Sequence, residues 1–167
     1  MYQVGDQVLY GIHGVCRITD QENRVLDGKK VTYLVLEPVG QDGSRYLVPT
    51  HNETAMAKLS RVLTSNELES LMVSEEIRGD AWIRDENQRK NRYRELITSG
   101  DRSGLLQMIR ILYDYRKSQL GSGKRMHLAD ENFMKDAEKL LSSEISVILD
   151  IPQDEAKRWL RTRLKYE

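Results

Sequence analysis

A single cysteine, Cys16, in 167 residues excludes an internal disulfide and fits a reducing compartment. No stretch approaches the roughly twenty consecutive apolar residues that a membrane-spanning helix needs. The opening MYQVGDQVLY lacks the basic start and apolar run of a secretory signal, so a soluble, cytoplasmic protein without a membrane partner is expected. Repeats and low-complexity tracts are also missing. His13, His51 and His127 stand far apart, with no Cys or carboxylate at ligand spacing, so no metal site is expected. His13 itself reads as a turn residue beside Gly14. No nucleophile sits beside a base, and the glycines of GIHG and GQDG are not followed by the Lys and Ser or Thr of a phosphate-cradling loop. Neither catalysis nor a bound cofactor is therefore expected.

Net charge is absent too, with 26 basic and 26 acidic residues, but a neutral sum can hide sorted charge. Residues 78–125 carry about twelve Lys or Arg against about six Asp or Glu, and Glu67, Glu69, Glu75 and Glu76 come just before them. Sorted basic charge is what phosphate binding requires. It is densest in RGDAWIRDENQRKNRYR, Arg78 to Arg94, where Trp82 stands upstream of Arg84, Arg89, Lys90, Arg92 and Arg94. An apolar ring beside such a patch can stack on a base or wedge into a base step. A solvated helix with one core Trp accounts for the same residues, and both readings stay open on residue chemistry alone.

Residues 1–63 alternate with period two and are broken by turn chemistry, which predicts a small β-barrel. Strands are predicted at Gln7 to Tyr10, Gly14 to Asn23, Val31 to Glu37, Arg45 to Val48 and Ala55 to Leu59. The Asp-Gly pairs at Asp27-Gly28 and Asp42-Gly43 suit tight hairpins. An interior of Val8, Val15, Ile18, Tyr33, Val35 and Leu47 leaves no room for a substrate, so this part is read as a binding module.

Residues 64–167 switch to helical spacing. Thr64-Ser-Asn-Glu67 is a capping box for a connecting helix at about 65–74, inside a linking segment 64–78. Gly79 and Asp80 then interrupt the pattern, which predicts two halves free to move relative to each other. The next helix, about 85–98, puts Arg89, Tyr93, Leu96 and Ile97 on a packing side. Ser99-Gly100-Asp101 ends it and caps its successor, about 102–119, whose core residues are Leu105, Leu106, Ile109, Leu112 and Tyr113. After a turn carrying Lys124 and Arg125, a helix at 128–149 buries Phe133, Ala137, Leu140, Leu141, Ile145 and Ile148. Pro152 starts the last one, with Ala156, Trp159, Leu160 and Leu164 inward.

VGDQVLYGIHGVCRI, then YLVLEP, then YLVP in this order resemble the RNA-polymerase-interacting domain of the CarD/CdnL family of bacterial transcription regulators, a domain also found in transcription-repair coupling factor. Trp82, the Ser99-Gly100-Asp101 hinge and the apolar run Leu105 to Tyr113 extend the resemblance through the helical half. The resemblance implies an α+β chain: a Tudor-like, SH3-like β-barrel followed by an all-α helical bundle. It implies that the barrel docks on the RNA polymerase β subunit, in part by strand addition, through Arg24, Arg45, Tyr46 and Leu47. It further implies that the bundle holds promoter DNA at the upstream edge of the bubble. There Trp82 would wedge, and Arg84, Arg89, Lys90, Arg92, Arg94, Lys124 and Arg125 would contact the backbone. A monomer that stabilises the open complex with little sequence preference is the expectation. The rival readings are an interaction adaptor without DNA contact and, more remotely, a nuclease built on Asp80, Asp85 and Glu86.

Overall fold

The computed structural model describes residues 1–40, 43–78 and 82–166. Asp42 of the expected Asp42-Gly43 turn, Gln41 before it, and the expected Gly79-Asp80 interruption, with the carboxylate of Asp80, lie outside the described residues. Five antiparallel strands come first: β1 (Gln7–Tyr10), β2 (Val15–Leu26), β3 (Lys29–Pro38), β4 (Tyr46–Pro49) and β5 (Leu59–Arg61). Their spatial order is β4-β3-β2-β1-β5. The two outer strands supply Val48 and Leu59 to one buried cluster with Val8, Cys16, Ile18, Leu34 and Leu36, so the sheet rolls around its own core. β2 and β3 meet at a two-residue turn with Asp27 at φ 50° and Gly28 at φ 76°, the left-handed pair that an Asp-Gly hairpin supplies.

The barrel departs from the sequence expectation at two places. The fifth strand starts at Leu59 because Asn52, whose side chain accepts from the Ala55 N–H, caps a short helix α1 (Glu53–Met56) ahead of it. The residues of β3 and β4 in the sheet's own cluster are Leu34, Leu36 and Val48; Val35 is buried as expected but on the opposite face, and Tyr33 and Leu47 are only half-buried. Tyr33 to Leu36 are apolar in unbroken succession, so alternation could not choose a face, and a slip of one residue exchanges the faces. A bulge between Ile18 and Asp20 resets the pairing, so that Ile18 faces Leu36 and Asp20 faces Val35.

The helices are α2 (Ser65–Met72), α3 (Glu86–Ser99), α4 (Arg102–Gly121), α5 (Leu128–Leu149) and α6 (Gln153–Leu164). The predicted capping box is present, with Thr64 Oγ1 accepting from Glu67 N and Glu67 accepting from Thr64 N. Gly100 adopts the left-handed cap at φ 68°, and the Asp101 carboxylate accepts from Gly104 N to start α4. Phe133, Ile148, Tyr113 and Trp159 are half-buried around the core rather than inside it, and Met108, Met126 and Met134 fill the interior. Unbranched thioethers fit irregular gaps between helices, which apolar spacing alone does not single out.

The two halves are docked, contrary to the expected freedom between them. Leu9 and Val15 leave the sheet's own cluster and join Leu68, Met72, Leu96, Ile97 and the rest of the helical core. Val15 N donates to Ser143 Oγ at 3.2 Å, and a Cβ added at Gly100 would come within 3.1 Å of Leu9. Arg102 clamps the seam. Its guanidinium donates to Glu144 at 2.9 and 2.6 Å, to Ser60 Oγ at 2.8 Å and to the Arg61 carbonyl at 2.8 Å. Glu144 also accepts from Leu63 N at 3.1 Å, so one ion pair ties α4 and α5 to β5 and its exit.

Candidate functional site

Trp82 stands four residues before α3 and is half-buried. The Tyr115 ring of α4 lies parallel to its indole, with centroids 3.6 Å apart and planes 5° from parallel. The Arg89 guanidinium sits 4.4 Å from the indole centroid. Two groups this close to one indole cannot share a face, so both faces are occupied and what remains exposed is rim. Trp82 is thus neither sealed in the core nor projecting freely.

Arg89 is not at the surface. It is 3% exposed, in contact with an Asp130 that is 0% exposed. Its Nε and Nη2 donate to the two Asp130 oxygens at 2.9 Å each, and Nη1 donates to the Ile83 carbonyl at 3.0 Å. This bidentate fork is the strong form of a charge-assisted pair, and it removes Arg89 from the set of cations that can face phosphate. The helical periodicity had already placed Arg89 on the packing side of α3, and that placement decides its role. Tyr93, one turn on, has its hydroxyl buried with no hydrogen-bond partner among the described residues. Burial, reinforced by the Asp130 charge, pushes that phenol up to about 12.

The remaining predicted cations divide. Lys90 pairs with Glu86 at 3.1 Å and Arg92 lies 3.8 Å from Glu95, both near solvent. Arg84, Arg94, Lys124 and Arg125 are exposed, and no ion pair ties them among the described residues. On α3, at about 100° per residue, Lys90 and Arg94 share one flank while Arg92 lies on the other, so the helix does not present all three to one surface. The Arg89–Asp130 pair joins the first turn of α5 to α3. Tyr115 and Asp130, which hold the indole and its neighbour, were missed from the sequence. The available signal was that Tyr115 lies two residues from Tyr113, on the opposite flank of the same helix.

The sheet brings a second group together. Glu22 accepts from Arg24 at 3.1 Å and from Arg45 at 3.0 Å, and these two guanidiniums, Arg24 first, hold its carboxyl below the usual range. Register pairs Glu22 with Tyr33, Arg24 with Val31, and Val35 with Leu47. Arg24 and Leu47 therefore share the outer face of the sheet, opposite the core-facing Leu34 and Val48. Tyr46 points the other way, stacking on His13 with centroids 4.1 Å apart and meeting Tyr10 edge-on, so it does not join that surface. β4 is an outer strand, and its free edge can accept a strand from a partner.

Residues 2–62 match the family model for the CarD-like/TRCF RID domain, and residues 69–161 match that for the CarD C-terminal domain. No curated protein matches the chain.

Proposed function

The chain belongs to the CarD/CdnL family, a family of transcription-associated, RNA-polymerase-interacting proteins. On that premise we propose that it regulates transcription initiation, holding polymerase with its sheet and promoter DNA with its helices so that the open complex lasts longer. The polymerase contact is to the β subunit, through the free edge of β4 and the neighbouring outer face with Arg24, Arg45 and Leu47. The DNA contact is the exposed rim of Trp82 at the upstream edge of the bubble, flanked by Arg84, Arg94, Lys124 and Arg125, with Lys90 and Arg92 as weaker contributors. The protein works as a cytoplasmic, non-enzymatic monomer.

The observations that carry this reading are a half-buried indole stacked on Tyr115, two residues along the chain from the exposed Arg84, and the exposed Arg94, Lys124 and Arg125, none of the four paired with a carboxylate among the described residues. Backbone charge pairing holds any sequence and a wedge favours easily unstacked steps, so base preference is slight. Two modest contacts on one docked molecule reinforce each other through effective concentration.

The test uses the full chain in two assays: capture of RNA polymerase, and a mobility shift of a forked promoter fragment at low salt. Replacing Arg24 and Arg45 with Ala is expected to reduce polymerase capture and leave the DNA shift unchanged. A wild-type chain that captures polymerase but never shifts the fork would establish the adaptor reading instead.

A further inference from the structure

We infer that Tyr115 is a positioning residue for Trp82, and that the buried Arg89–Asp130 pair is its footing, so that the indole meets DNA already oriented. This rests on the wedge reading above. The segment before α3 is irregular, and an indole there would otherwise sample several rotamers and lose that freedom on binding. Here three layers fix it. Tyr115 stacks at 3.6 Å, and Arg89 covers the indole at 4.4 Å. Asp130 fixes Arg89 through two bonds of 2.9 Å.

A parallel, close pair of aromatic rings is not their preferred arrangement, because the negative faces repel. A guanidinium over the indole offsets that repulsion by attracting the ring's π density, so the cation and the stack support each other. Tyr115 could instead be a competitor whose place a nucleobase takes. A base stack, however, overlaps in size with the ring stack it would displace, and the Arg89 contact would be lost as well, so swinging the indole out gains little. Keeping the sandwich and presenting its rim costs no rearrangement. In that mode the indole blocks reannealing as a rigid blade rather than intercalating by its faces.

The test compares open-complex lifetimes on one promoter with the full-length wild type, W82A, Y115F, Y115L and the W82A/Y115L double variant. Y115F keeps the ring and is expected to match the wild type. Y115L keeps apolar bulk without the stack and is expected to shorten the lifetime by about threefold to tenfold, with no additional loss in the W82A background. In a W159F background, which leaves Trp82 as the sole indole, Y115L is also expected to raise quenching of its fluorescence by acrylamide. That measurement, with the melting temperature, separates a freed indole from a damaged fold. A Y115L lifetime equal to or longer than the wild type's, or a Y115L loss that persists fully without Trp82, overturns the inference alone. A W82A lifetime equal to the wild type's overturns the wedge reading and the inference with it.

Discussion

Arg102→Ala is expected to destabilise the chain more than any substitution among its surface cations. The Arg102 and Glu144 side chains are 11% and 2% exposed, so the pair is desolvated, and removal of the cation strands a carboxylate with one remaining donor, Leu63 N. Breaking a buried pair on one side costs about 3–5 kcal/mol. Ser60 Oγ and the Arg61 carbonyl lose their donor as well. For a chain of this length the loss corresponds to a fall in Tm on the order of 10 °C. Replacing both members with apolar residues, Arg102→Met with Glu144→Leu, is expected to recover much of it, because neither charge is then left without a partner. The assay is thermal and urea unfolding of the two single variants and the double. An Arg102→Ala loss below about 1 kcal/mol, the range of exposed pairs, would show that the seam is hydrated and that the two halves are not held as described.

Tyr93→Phe removes a buried hydroxyl without a partner among the described residues and is expected to be neutral or stabilising, whereas a clear fall in urea midpoint would reveal a bond to that oxygen. Glu67 is held at about 2 against an ordinary 4.5, first by Arg61 and then by Thr64. Its contribution is thus complete above about 4.5 and lost as pH falls toward about 2. Glu67→Gln should flatten the stability profile in that window, and an unchanged acid limb would show that the Arg61 pair does not hold Glu67 ionised. Changing Arg84, Arg94, Lys124 and Arg125 together to Ala should weaken DNA binding alike on all sequences and flatten its salt dependence; unaltered salt dependence would take these cations out of the interface. Gly104→Ala, where an added Cβ runs into Leu96 Cδ2, is expected to lower Tm despite alanine's better helix propensity.

Helices and strands were legible where spacing and punctuation agreed. Thr64 and Glu67, Gly100 and Asp101, and Asp27-Gly28 marked their caps and turn through local chemistry that tertiary contacts did not override. The inward face of β3 was not legible, because Tyr33 to Leu36 offer apolar side chains to both sides. The docking of the two halves was hidden for a similar reason. Leu9 and Val15 look like barrel residues in the sequence, and only the roll of the sheet turns them toward the helices. At the site, Trp82 and the exposed cations were visible as composition. Arg89 was counted among them because charge is conspicuous in a sequence, while its partner Asp130 lies forty-one residues away. Long-range pairing of that kind leaves no trace in local spacing; spacing could set Tyr115 on the flank of α4 opposite Tyr113 but could not match it to Trp82.

Whether the indole stands against DNA at the upstream margin of the bubble is decided by a photocrosslinking amino acid at position 82 of the full chain in a polymerase–promoter open complex. Crosslinks are expected to promoter DNA immediately upstream of the melted region, dependent on polymerase and weakened when Arg24 and Arg45 are replaced. Crosslinks confined to polymerase subunits or to the chain itself would contradict that placement.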